Sequence, residues 1–214
     1  MAMVWPCPVD VDGYVDHLGE IEVPRPPCPE CGAATWRWGG FPRHLRRDSD
    51  RLIWAPRMCC TGCGKTQALI PWFVLPWRWD EAGVIGRAVE LAAQGWGHRR
   101  IAAVLGRPET TVRGWLRRVR RCANQVSAAL LAAAVAWGWS SWEVPTLTLP
   151  RLVAAVAALS QEWRRRRGPG EPWRVANLIA GGGLLATNRS SPLARSRASG
   201  WMATPSDSEV PHGP

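Results

Sequence analysis

"CPECG" at 28–32 and "CTGCGK" at 60–65 are the stretches whose reading decides the fold. Each places two cysteines either side of two residues and follows them with glycine (Gly32 and Gly64). Two residues between thiolates let a tight turn aim both sulfurs at one ion about 2.3 Å away, and the glycine relieves the backbone after the turn. Cys28 and Cys31 with Cys60 and Cys63 then complete a tetrahedron. The 28 intervening residues suit a zinc ribbon, with each knuckle on a β-hairpin. Such a site is coordinatively closed, which assigns one structural Zn(2+) ion rather than a catalytic one.

Other readings of the cysteines are weaker. A redox C-x-x-C needs a βαβ context, which is missing here. An iron–sulfur cluster takes four cysteines too, but the paired symmetry favours zinc. Cys59 is adjacent to Cys60 and a substitute ligand at a less usual spacing; Cys7 and Cys122 stand singly. His44 is a remote candidate ligand.

Outward from the knuckles, residues 25–77 alternate short apolar runs with Gly, Pro and Cys, the pattern of a small β-rich module. "RHLRRDSDRLIWAPRMCC" (43–60) fits two strands around "DSD" at 48–50. Residues 1–24 read as a loosely ordered, Pro-rich lead-in. After Trp79 the period changes to helical: Val84, Ile85, Ala88, Val89, Ala92, then Ile101, Ala102, Leu105, then Val112, Trp115, Leu116, Val119. Asp80 is the expected N-cap of the first helix, with Gly95 and Gly106 as helix stops. The segment 78–124 is read as the helix-turn-helix, 125–167 as further helix (125–137 and 151–167), and 168–214 as a largely disordered tail.

Within "IAAVLGRPETTVRGWLRRVRR" (101–121), Gly106 suits a left-handed helix end and Pro108 the first position of the next helix. The second helix would bury Val112, Leu116 and Val119. It would present Glu109, Thr110, Thr111, Arg113 and Arg117 to base edges, with Arg99, Arg100, Arg118 and Arg121 along the phosphates. The expected fold class is therefore mostly α with a small β-rich zinc ribbon, followed by a homeodomain-like helix-turn-helix and further C-terminal helices.

Composition agrees with a polyanionic partner. The chain has 27 basic and 17 acidic residues, a formal charge of +10, and Lys65 is its one lysine. Arginine pairs bidentately with phosphate. GC-rich coding bias also inflates arginine, and it accounts equally well for fifteen tryptophans spread over the whole length. No secretory signal opens the chain, and Val126–Trp139 is too short and interrupted to span a bilayer. With seven cysteines and no export signal the expected compartment is a reducing cytoplasm, where paired C-x-x-C units read as metal ligands before disulfides, and no membrane partner is expected.

Together, "CPECG…RMCCTGCGKTQALIPWFVLP" and "GVIGRAVELAAQGWGHRRIAAVLGRPETTVRGWLRR" resemble the N-terminal zinc ribbon and helix-turn-helix of insertion-sequence transposases. They are more similar still to short actinobacterial helix-turn-helix proteins with a domain of unknown function, whose end "NLIAGGGLLATN" (177–188) also resembles. The resemblance implies zinc on Cys28, Cys31, Cys60 and Cys63 and base contacts from 109–117. Two positions depart from the pattern: Pro108 replaces the usual Ser or Thr cap, and Trp96 replaces a polar residue.

An RNase H-type transposase core needs three carboxylates on an α/β domain. After the helix-turn-helix only Glu143, Glu162, Glu171, Asp207 and Glu209 remain, on a stretch too short for such a domain and without a strand pattern, so the chain is read as no enzyme. The expectation is sequence-specific duplex DNA binding, as a regulator or transposase-associated recognition module of a mobile element. A transposase or a second copy of the chain is an expected partner. The alternatives are a protein–protein adaptor working through the ribbon, and a decayed transposase fragment.

Overall fold

The computed structural model describes residues 2–140 and 143–185. Four strands form one sheet: β1 (Ala2–Trp5), β2 (Thr35–Arg46), β3 (Asp50–Cys60) and β4 (Thr66–Pro71), in the order β1-β4-β3-β2. β2 and β3 make a long antiparallel hairpin, with a register shift between Arg37 and Gly40. Gly40 is required at that shift, because a Cβ there would lie 2.3 Å from the Trp54 indole nitrogen.

The N-terminal segment differs from the loose lead-in expected of 1–24. β1 pairs in parallel with β4, Met3 opposite Leu69 and Val4 opposite Ile70. A short helix α1 (Val11–Asp16) follows, capped by the Asp10 carboxylate on the Gly13 N–H at 2.9 Å. Val4, Trp5, Cys7, Val11 and Tyr14 are all buried. The fold is accordingly mixed α/β, with a sheet larger than a ribbon alone.

Five helices follow: α2 (Ala82–Ala93), α3 (His98–Leu105), α4 (Glu109–Ala136), α5 (Thr148–Arg167) and α6 (Pro172–Ile179), then a 3-10 turn Gly183–Leu185. Gly95 (φ 89°) and Gly106 (φ 59°) sit in the left-handed region just past α2 and α3, where a Cβ would be penalised. α4 crosses the boundary expected at 124/125 without a break. Its buried face runs on from Val119 through Cys122, Ala123, Val126, Leu130 and Ala134, and no Gly or Pro interrupts 115–136. At 28 residues it is about 42 Å long.

The C-terminal elements close the fold and differ from the disordered tail expected from 168 onward. Trp173 of α6 lies over Gly86 of α2, where an added Cβ would stand 2.1 Å from the indole, and its Nε1 donates to Glu90 at 2.9 Å. Asn177, fully buried, donates to the carbonyls of Trp72 and Val74 at 2.8 and 2.9 Å. The motif 177–188 is thus an anchor as far as Leu185, and 186–188 lie outside the described residues, as do Asp207 and Glu209. One contiguous apolar core runs from Val4 and Ile70 of the sheet through Ile85, Leu116 and Leu130 to Leu159 and Ile179. The sheet and the helices therefore share their interior. Among the described residues no helix is long and apolar enough to cross a membrane.

Candidate metal centre and nucleic-acid interface

The turns after Cys28 and Cys60 are built alike. Gly32 N–H bonds the Cys28 carbonyl and Gly64 N–H the Cys60 carbonyl, and both glycines have φ near 70°. These turns bring the sulfurs of Cys28, Cys31, Cys60 and Cys63 within 4.8 Å of one another. Cys31 and Cys60 are 3.4 Å apart, Cys28 and Cys63 3.8 Å. Tetrahedral thiolates at 2.3 Å from one ion would stand about 3.8 Å apart, so the donor set fits a closed four-sulfur metal site. Cys59 stays outside it, against the Gly64 carbonyl at 3.6 Å. His44 is also elsewhere, bonded to Asp50 and stacked on Trp79.

Surrounding N–H groups point at two of these sulfurs. The N–H groups of Gly62 and Cys63 point at Cys60 Sγ at 3.3 and 3.4 Å, and Gln67 Nε2 at Cys28 Sγ at 3.6 Å. The Cys63 N–H, with help from Cys31 and Gly62, pulls the Cys60 thiol down to about 6. The Lys65 N–H pulls at Cys63, but loss of solvent and the sulfurs of Cys60, Cys31 and Cys28 outweigh it and push that thiol up to about 11. Four crowded sulfurs cannot all ionise on their own, and a divalent cation removes that conflict. Lys65 and Glu30 pair at 2.9 Å from one knuckle to the other.

The helix-turn-helix geometry is present at α3–Gly106–α4. Arg107 N–H reaches back to the Ala102 carbonyl at 3.0 Å, closing α3. Pro108 is not the first helical residue: its ψ of 137° is extended and its carbonyl accepts from Val112, so α4 begins at Glu109. Asp80 is not a helix cap either. Glu81 flanks α2, and Asp80 instead takes Arg46 and Arg107.

Residues 85–125 match the homeodomain-like domain. This is a helix-turn-helix domain of the kind found in transposase N-terminal regions. No curated protein and no solved structure matches the chain.

On the homeodomain-like domain, Thr110, Arg113, Arg117 and Arg121 are exposed, and the first three lie at the i, i+3, i+7 spacing of one face. Arg99 is exposed and pairs with Glu109 at 3.4 Å, joining the start of α3 to the start of α4. Arg100 lies 3.5 Å over the Trp96 ring, which gives the departure at Trp96 a role as its platform. Thr111 and Arg118 turn toward the connector between β4 and α2. With Gly114 they line a hollow of about 270 Å³ shared with Arg46, Trp77, Arg78 and Trp79. Burial lowers the Arg78 guanidinium from its ordinary value, and the charge of Arg118 adds to it.

The charges that hold this domain on the sheet have no spacing signature. Asp80 and Glu81 are each 3% exposed. Asp80 takes Arg46 at 2.9 Å and Arg107 at 2.6 Å, while Glu81 takes Arg174 at 2.6 Å and Arg47 at 3.7 Å. The signal available was the acidic pair itself, next to an apolar run and far from any acidic cluster.

Proposed function

We propose that the chain binds duplex DNA, reading sequence with the first turns of α4 and tracking phosphates with its arginines. The observation that supports this most directly is the homeodomain-like match over 85–125, on a helix whose exposed face carries Thr110, Arg113, Arg117 and Arg121. A major-groove reader needs a polar, cationic helix face held rigidly from behind. Here Val112, Trp115, Leu116 and Val119 supply the hold. The four-thiolate site takes zinc, with a structural role, because all its positions are filled by protein sulfur.

The chain works without chemistry of its own. Glu162 is buried against Arg165, and Glu171 caps α6, accepting from the N–H groups of Trp173 and Arg174. The chain's role is that of a regulator or a recognition module beside a transposase, alone or as a homodimer.

A second reading, adaptor binding through the ribbon, draws on Trp36 and Trp38. They form an exposed edge-to-face pair on the edge strand β2, rings 4.8 Å apart. Salt separates the readings. Duplex binding should weaken with a slope of about −0.9 per phosphate contacted. A protein interface resting on the tryptophan pair should respond weakly to salt.

A further inference from the structure

The connector between β4 and α2 carries a feature that duplex reading by α4 leaves unused. Trp77 has φ of 62°, and among the described residues no other non-glycine residue has positive φ. The left-handed region is unfavourable for any side chain with a Cβ, most of all a bulky one. Trp77 is also 86% exposed, so burial does not compensate. Such outliers persist only where the surroundings impose them, and they concentrate at functional sites.

The surroundings do impose this one. Arg43 Nη2 donates to the carbonyls of Leu75 and Arg78, both at 2.6 Å, bridging the residues on either side of Pro76 and Trp77. Arg46 grips the next residues, its N–H on the Trp79 carbonyl at 2.5 Å and its carbonyl on the Glu81 N–H at 3.1 Å. Trp79, 62% exposed, stacks on His44 with ring centres 5.4 Å apart and planes 29° from parallel. The backbone that bears Trp77 and the Trp79 indole are thus held in place, with both rings exposed to water.

Beneath them is a cavity of about 500 Å³, lined by Trp77, Trp79, Phe41, Arg43, Arg57 and Thr66 among others. Flat aromatic walls beside guanidinium and hydroxyl groups suit a planar ring that carries an anion. Arg57 is exposed and linked to Thr66 Oγ1 at 3.1 Å. The buried Nε of Arg43 has no acceptor among the described residues. Trp77 and Trp79 also line the hollow that contains Thr110, Thr111 and Arg118 of α4. A strand leaving the start of α4 therefore meets the connector next.

We propose that this cavity is a base-stacking site for one unpaired nucleotide of the DNA seated on α4. The base stacks on Trp77 and Trp79, and Arg57 and Arg43 receive its phosphate or ring edge. The site rests on the duplex-binding reading and extends it to DNA with an overhang or an extruded base.

The test uses the full zinc-loaded chain and two probes at one salt concentration: a blunt duplex, and the same duplex with a short single-stranded overhang containing 2-aminopurine. The overhang should tighten binding about tenfold, with quenching of the 2-aminopurine fluorescence. Trp77→Gly, which frees the backbone and so preserves the fold, and Trp79→Ala should each remove the gain and the quenching while leaving blunt-duplex affinity unchanged. Arg113→Ala should weaken both probes in parallel. Equal affinity of the parent for both probes, or a gain that survives both tryptophan variants, overturns the stacking site and leaves duplex reading intact. Trp77-dependent binding of the overhang strand alone, without duplex binding, keeps the site and overturns the duplex reading. An apolar peptide that occupies the cavity while neither nucleic acid binds overturns both.

Discussion

Arg107, in the turn of the helix-turn-helix, places its Nε 2.6 Å from Asp80 Oδ1, and the two side chains are 8% and 4% exposed. The same carboxylate holds Arg46 at the end of β2. One buried charge therefore ties the sheet to the helix-turn-helix, next to the connector that bears Trp77. Paired buried charges add little to stability as a unit, but removing one partner strands the others.

Asp80→Asn should consequently cost about 3–5 kcal/mol in urea unfolding, since it leaves Arg46 and Arg107 facing a neutral amide. Adding Arg107→Met should recover part of that loss. Strict additivity of the two substitutions would show that the contact carries no coupling.

Cys60→Ser should abolish stoichiometric zinc and lower Tm by about 10 °C or more, each kcal/mol shifting Tm by about 2–4 °C in a chain of this size. Chelation of the parent should reproduce the drop. Cys59→Ser should keep the metal, because its sulfur faces the Gly64 carbonyl and not the cluster. Metal analysis beside calorimetry checks both.

Much of this was legible in the sequence. The two knuckles, Gly95 and Gly106 as helix ends and the buried periodicity of 112–119 all follow from local rules that need no partner. What was not legible depends on distant contacts. β1 is four residues long, too short for an alternation to stand out, and it exists because β4 offers a parallel edge. The length of α4 was obscured because its Ala-rich second half looks like a separate helix, whereas its apolar face is continuous. Asp80 looked like a cap, and its arginines lie 34 positions before it and 27 after it in the chain. The strain at Trp77 has no sequence signature, since it is set by Arg43 and Arg46 gripping the connector.

Relieving that strain should be visible without DNA. Trp77→Gly should raise stability by about 1 kcal/mol, the left-handed penalty less the extra entropy of an unfolded glycine. Trp77→Ala, which keeps a Cβ in the same region, should leave stability near the parent value. Thermal denaturation of the three proteins decides it.

Gly86→Ala should act in the opposite direction. Its methyl group would stand 2.1 Å from the Trp173 indole, so α6 must shift off α2 at a cost of about 1–3 kcal/mol. The readout is a lower Tm together with loss of amide protection in 172–179.

The arginines of α4 should reveal themselves through salt. Replacing Arg113 and Arg117 by alanine should flatten the log–log dependence of duplex affinity on salt by about 1–2, with stability unchanged because both side chains are exposed.

The most direct measurement of the central claim is duplex-DNA binding by the purified chain across a salt series, with zinc content determined on the same sample before and after chelation. The account expects one zinc per chain and duplex binding that weakens steeply with salt and is lost with the metal. One zinc per chain with no duplex binding at low salt would contradict it.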